Sequence, residues 1–266
     1  MAIEIFNRHE NKYLLDAKTY AKLQRQLSGR MELDAYNKTH ETYSICNLYY
    51  DTDDSYLIRT SLQKPCYKEK LRMRSYGTPD LDARVYVEIK KKFCGLTNKR
   101  RSGLRLSDAY AFLDTGALPD AADCTNRQVT REIAYMLTQR RLAPKVYLSY
   151  DRRAFFEKEN SDLRVSFDTN IITRRQDLRL ESGSWGERLL ADGTWLMEIK
   201  TAKAIPLWFT RLLSEHQVYP ASFSKYGAAY TASLAPGVRE PCENIVSFPA
   251  HRFAENPLPL ARASLG

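Results

Sequence analysis

The 266-residue sequence predicts an α+β protein built on an antiparallel sheet or a closed barrel, with helices laid over it. Three observations point there. Segments with a two-residue alternation recur, mostly in hairpin order, and nearly every one carries its charges on a single side. No Gly-rich phosphate loop and no G-x-G-x-x-G opens a helix, so the parallel nucleotide-binding folds have no support.

The first segment, "IEIFNRHENKYLL", sets Arg8, Glu10 and Lys12 on one side and Ile3, Ile5 and Tyr13 among the residues of the other. Asp16 then reads as the N-cap of a helix running through Tyr20, Leu23 and Leu27, with Gly29 to end it. "YSICNLYYDTDD" is a strand from Tyr43 to Tyr50 that enters an Asp-rich turn or helix start. "CYKEKLRMRSYG" and "ARVYVEIKKKFCG" form a hairpin through Gly77, Pro79 and Asp80. "NKRRSGLRL" is a strand or basic loop before a helix beginning near Ser107 or Asp108. "TNRQVTREIAYMLTQRRL" has helical spacing through Val129, Ile133, Tyr135, Met136 and Leu137. Strands resume in "PKVYLSYDRRAFF", "LRVSFDTNIITRR" and "TWLMEIKT", and "PLWFTRLLSEH" and "SKYGAAYTASL" are the last helices. Residues 1–235 are expected to form one domain and residues 236–266 an irregular tail.

With 43% hydrophobic and 27% charged residues the chain can bury a sizeable core. It shows no bilayer-length apolar run and no secretion-signal pattern, so the expected compartment is cytoplasmic. Five scattered cysteines without a C-x-x-C pair predict reduced thiols, neither a disulfide framework nor a zinc site. A net charge of +9 implies an anionic partner: nucleic acid, a phosphate-rich small molecule or an acidic membrane. Nucleic acid is disfavoured, because aromatic residues do not interleave with the basic ones as a stacking platform requires.

Lys70, Arg72 and Arg74 share a strand face, as do Glu88, Lys90 and Lys92, then Arg164, Ser166 and Asp168, then Glu198 and Lys200. On any one strand this is an ordinary wet face. Repeated with Arg and Lys in excess, it becomes, if the sheet closes, a hydrated interior with too many cations to be stable empty. A polyanion would supply the missing charge. Glu10, Glu88 and Glu198 each stand two residues before a lysine. For one such pair, neutralising the lysine is the simpler reading; three on facing strands favour a site for Mn²⁺ or Mg²⁺ bridging phosphate oxygens.

The ordered set "ENK", "LYYDTDD", "KLRMRSY", "VYVEIKKK", "VYLSYDRRAFF", "LRVSFDTNI", "LMEIKT" and "FSKYGAAY" resembles the polyphosphate polymerase domain of the vacuolar transporter chaperone (VTC) complex and its bacterial relatives, within the triphosphate tunnel metalloenzymes. The resemblance spans roughly residues 3 to 232. It implies a closed eight-stranded antiparallel β tunnel with helices outside, and transfer of the ATP γ-phosphate to a growing polyphosphate chain with Mn²⁺ or Mg²⁺. By position it matches Lys12, Arg72, Arg74, Lys90, Arg152, Arg164, Lys200 and Lys225 to phosphate-contacting residues, and of these Arg72, Arg74, Lys90 and Lys200 are expected to grip the reacting phosphates. Lys12, Arg152, Arg164, Lys225 and the basic stretch holding Lys99 and Arg101 would bind the rest. Glu198, with Glu88 and Glu10, would take the metal. Either Arg152 or its neighbour Arg153 enters the tunnel, since adjacent strand residues point apart.

Two departures shape the expectation. Neither the basic helical sensor that precedes the eukaryotic relatives nor a following membrane segment is recognised, so coupling of synthesis to translocation is not expected from this chain, and a membrane partner stays open. "RHENK" stands where related triphosphatases carry E-x-E-x-K, exchanging a metal ligand for Arg8. Two rivals keep the fold or the ligand: an inorganic or nucleotide triphosphatase, and a polyphosphate-binding module without turnover.

Overall fold

Alternation along each strand sorts the sheet into an apolar face and a charged one. The computed structural model describes residues 9–94, 96–158 and 163–234. Its strands are β1 His9–Leu15, β2 Met31–Leu33, β3 Tyr43–Asp51, β4 Tyr67–Tyr76, β5 Arg84–Phe93, β6 Leu96–Arg105, β7 Ala143–Glu157, β8 Arg164–Arg174, β9 Glu187–Arg188 and β10 Trp195–Thr201. The helices are α1 Ala17–Leu27, α2 Tyr56–Leu62, α3 Leu106–Thr115, α4 Arg127–Gln139, α5 Leu207–Glu215 and α6 Lys225–Leu234. Arg8 and the expected tail lie outside the described residues.

The antiparallel ladder runs β1-β10-β8-β7-β3-β4-β5-β6, with the short β2 and β9 added to β7 and β8. There it stops: among the described residues no backbone pairing joins β1 to β6, so the closed barrel expected from the sequence is observed as a curled, open sheet. Glu10 of β1 nonetheless lies 3.7 Å from Lys90 of β5, the strand next to the far margin.

Two helical layers cover the apolar face. Leu23 and Leu27 of α1 and Phe209 of α5 bury against Phe167, Met197 and Ile199. Phe112 of α3 with Val129 and Ile133 of α4 bury against Leu48, Leu71, Met73 and Val87. Asp16 caps α1 as predicted, accepting from the Thr19 N–H at 2.6 Å. Tyr135, expected within the α4 stripe, is instead 67% exposed, off the face that carries Val129 and Ile133.

The helices are not confined to the outside. Ile58 of α2 with Tyr226 and Ala229 of α6 pack on Ile45, Leu148, Ile171 and Leu196, which project from the opposite, charged face. The fully buried Asp51 ties these two helices together. It accepts from the N–H groups of Leu57 (2.8 Å) and Ile58 (3.0 Å) and from the Tyr226 hydroxyl (2.8 Å). None of the described helices is long and apolar enough to cross a membrane.

Cys66 and Cys94 form a disulfide with Cα atoms 4.6 Å apart, which corrects the expectation that all thiols are reduced. The reason is register: β4 and β5 set Tyr67 opposite Phe93, so the residues just outside the two strands meet. Cys46 and Cys124 are free.

Candidate active site

On β4, Leu71 and Met73 are fully buried toward the outer helices, which turns Lys70, Arg72 and Arg74 inward. Glu88 of β5 lies opposite Arg72 in the ladder and receives its Nε at 2.7 Å. Arg74 Nε lies 3.8 Å from the same oxygen, and Lys99 Nζ of β6 lies 2.7 Å from the other. Burial alone would favour the protonated acid, yet Arg74, Arg72 and Lys99 hold Glu88 well below the usual carboxylate range. Side chains from the neighbouring strands fix the two guanidinium groups. Arg72 donates to the Tyr49 hydroxyl (3.2 Å); Arg74 donates to Asn47 Oδ1 (2.9 Å) and the Tyr150 hydroxyl (3.2 Å).

A second cluster forms across β1, β10, β8, β7 and α6. Glu198 is surrounded by Lys200 (3.1 Å), Lys225 (3.3 Å), Lys12 (3.6 Å) and Arg152 (4.0 Å). Burial opposes its charge; Lys225, Lys200, Lys12 and Arg152 overcome that and keep it ionised. Glu10 contacts Lys12 at 3.3 Å and Lys90 at 3.7 Å. Burial and the nearby Glu198 work against ionisation there, but Lys90, Lys200 and Lys12 bring its pKa down to about 2. Asp168 accepts a two-pronged pair from Arg152 (2.6 and 2.8 Å) and also meets Lys225 Nζ at 2.5 Å.

The structure resolves two choices that the sequence left open. Arg152 turns inward, while Arg153 lies near Glu41 and over the Phe155 ring. Lys99 and Arg101 share the inner side of β6, Arg101 lying 4.4 Å over the Tyr86 ring; Arg100 points outward to an ion pair with Glu132 of α4. Arg164 stands opposite Lys200 in the ladder, but its guanidinium is bound to Asp34 at 3.0 Å and lies over Phe156.

Sequence reasoning placed Asp168 on the charged face without a role, and it assigned none to Lys70, Asn47 or Tyr150. Among the described residues Lys70 has no carboxylate partner; its Nζ lies 3.4 Å from Ser224 Oγ and 5.9 Å from the centre of the Tyr226 ring. Burial, then Lys90, Lys12, Lys68 and Arg72, push its pKa down to about 7. Tyr49 stacks on Tyr226 with ring centres 4.5 Å apart, and its hydroxyl also serves Arg72. The signal for Lys70 and Tyr150 was their two-residue offset from Arg72 and Arg152, and for Asp168 its place on the Arg164 face; Asn47 and Tyr49 had no assigned charge on their own strand to point to them.

Among the described residues no three carboxylate, histidine or cysteine side chains converge on one point. Glu10 and Glu198 do approach a common atom, Lys12 Nζ. Two hard carboxylates suit Mg²⁺ or Mn²⁺, which are held by one or two protein carboxylates with phosphate and water completing the shell. Glu88 stands on a different pair of strands from these two, its side chain 1% exposed, with Arg72 and Arg74 on one oxygen and Lys99 on the other.

The whole inner surface therefore has a positive excess fixed by few carboxylates. It offers phosphate oxygens many donors. The family model described as VTC domain matches residues 7–234. Subunit 4 of the vacuolar transporter chaperone complex of Schizosaccharomyces pombe is 25% identical over 206 residues, covering 69% of this chain and 28% of that protein. The chain thus spans under a third of that relative's length. Two solved structures share the fold. One, a Bacillus halodurans protein described as a candidate adenylate cyclase, has a TM-score of 0.51 and 14% identity over 84% of this chain and 96% of that one. The other, a Hippeastrum protein described as a candidate adenylyl cyclase with a dominant triphosphatase activity, has a TM-score of 0.50 and 17% identity over 85% and 97%.

Proposed function

The chain belongs to the VTC domain family, and on that premise we propose that it transfers the γ-phosphate of ATP to the end of an inorganic polyphosphate chain. The observation that carries this reading is the surplus of inward cations, of which Lys70 has no carboxylate beside it among the described residues. Phosphoryl transfer asks a protein chiefly for alignment and for positive charge around the equatorial oxygens. A terminal oxygen of the acceptor chain attacks the γ-phosphorus, the bond to the β–γ bridging oxygen breaks, and ADP leaves with that electron pair. Arg72, Arg74, Lys90 and Lys200 hold the reacting phosphates in line. Lys12, Lys99, Arg101, Arg152 and Lys225 bind the remaining phosphates, with Arg164 at the margin.

Glu198 and Glu10 would hold the Mn²⁺ or Mg²⁺, which when bound offsets charge on the phosphate oxygens. We assign Glu88 to positioning instead: it orients Arg72, Arg74 and Lys99. Asp168 does the same for Arg152 and Lys225. Incubating the purified protein with ATP and Mn²⁺ and resolving the products on a gel tests the reading. Long-chain polyphosphate is the expected product. Orthophosphate alone would make water the acceptor and the protein a triphosphatase, and no product would leave a binding module.

A further inference from the structure

The inner face of the β4–β5 ribbon changes chemistry along its length. At the end nearest the Cys66–Cys94 disulfide, Lys68 stands directly opposite Lys92; one rung further in, Lys70 stands opposite Lys90. Facing like charges are normally avoided in a ladder. Glu69 and Lys91 beside them point to the other face, where they meet Arg140 and Glu132, so they do not compensate. Among the described residues the Lys68 ammonium donates to the Ser61 carbonyl, at 3.2 Å, and meets no carboxylate. In the middle of the ribbon the residues become Arg72 and Glu88, then Arg74 opposite Tyr86.

Beyond Arg74 the strand ends on Tyr76, 38% exposed, and the rim turns aromatic. Tyr36, 53% exposed on the turn after β2, lies nearly parallel to Tyr76 with ring centres 5.4 Å apart. Tyr86 meets Tyr76 edge-on at 6.1 Å and lies under the Arg101 guanidinium. Eight residues separate Lys68 from Tyr76, or about 26 Å of strand.

One molecule has this order of chemistry: a nucleotide joined end to end with a phosphate chain, aromatic base first, then the reacting phosphates, then a run of phosphates without bases. We propose that the trough is polar, with the Tyr36–Tyr76–Tyr86 rim stacking the nucleobase of the donor and the Lys68–Lys92 rung holding phosphates of the polymer beyond the reacting ones. Rings with exposed faces accept any base plane, and arginine over a ring strengthens the platform. Paired lysines act as flexible point charges suited to a chain that slides.

This inference rests on the proposed phosphotransfer, and its test separates the two. Three probes are titrated by calorimetry at two salt concentrations against the full chain: a nonhydrolysable ATP analogue with Mg²⁺, tripolyphosphate, and long-chain polyphosphate. In Tyr36→Ala/Tyr76→Ala, ATP-analogue affinity should fall at least about fivefold while tripolyphosphate, three linked phosphates without a base, stays within about twofold. In Lys68→Gln/Lys92→Gln, long-chain affinity should fall about tenfold with a shallower salt dependence, tripolyphosphate and the ATP analogue being little changed. Each variant's retained ligand reports that it is folded. A crossed pattern would reverse the polarity and overturn the assignment. Loss of stability with no selective loss of binding would reduce the tyrosines to packing for the 34–38 turn and equally overturn it. Wild-type protein that binds none of the probes would remove the phosphotransfer reading as well.

Discussion

Asp168 of β8 and Arg152 of β7 face each other across the ladder and exchange a two-pronged ion pair at 2.6 and 2.8 Å, with the carboxylate fully buried. Lys225, the first residue of α6, closes on the same carboxylate at 2.5 Å. One anion thereby sets the position of two cations that arrive from different elements, and it links the inward-packed helix to the sheet.

Replacing Asp168 with Asn keeps the shape and removes the charge. Arg152 and Lys225 would then lose their nearer carboxylate and keep Glu198, at 4.0 and 3.3 Å, so the cost should fall at or below the low end of the range of about 3–5 kcal/mol typical of breaking a buried pair. Chemical denaturation should show a loss of that order, and added tripolyphosphate should recover more stability in the variant than in the parent. A variant as stable as the parent without added anion would mean that Asp168 does not anchor the pair.

Lys70 makes stability depend on pH. Burial and its lysine neighbours put its folded pKa at about 7, below the 10.5 of the exposed side chain. Between those values the unfolded chain holds the extra proton, so unfolding becomes less favourable as pH rises. The penalty for the charged amine is complete below about pH 7 and is relieved progressively up to about pH 10.5. Lys70→Met should flatten this rise, its stabilising effect being largest near pH 6 and fading by pH 10. Parallel denaturation curves for both proteins across that range would show that Lys70 carries no such linkage.

The alternation was enough to find the clusters, because a two-residue period fixes which face each charge occupies whatever the sheet does next. That is why Lys70, Arg72, Arg74, Glu88, Lys90, Glu198 and Lys200 all lie on the inner side. What alternation cannot supply is how strands lie against one another. The failure of β1 and β6 to pair, the meeting of Cys66 with Cys94, and the partnership of Asp168 with Arg152 all follow from register between distant segments. β2 and β9, at three and two residues, are too short to show a period at all.

The disulfide gives a direct check of the hairpin register. It closes a sequence separation of 28 residues, for which loop-closure entropy suggests about 2–4 kcal/mol of stabilisation. Since β4 and β5 are already paired, the lower part of that range is expected. Dithiothreitol should lower the melting temperature of the parent and leave a Cys66→Ser/Cys94→Ser variant unchanged. Equal melting with and without reductant would return both thiols to the reduced state read from the sequence.

Glu198 separates catalysis from binding. It lies among Lys12, Arg152, Lys200 and Lys225, and in the proposed scheme it also shares the metal with Glu10. Glu198→Gln removes one negative charge from a surface that already has a positive excess, so polyphosphate should bind at least as tightly in the absence of divalent metal. Turnover should nevertheless fall by about 100-fold or more, the usual consequence of losing a preorganised charge at a transferring phosphate. Measuring both quantities on one preparation is decisive: a fold defect lowers them together, whereas the proposed role lowers only turnover. Full metal-dependent activity in Glu198→Gln would remove this carboxylate from the reaction and leave it a counter-ion for the four cations around it.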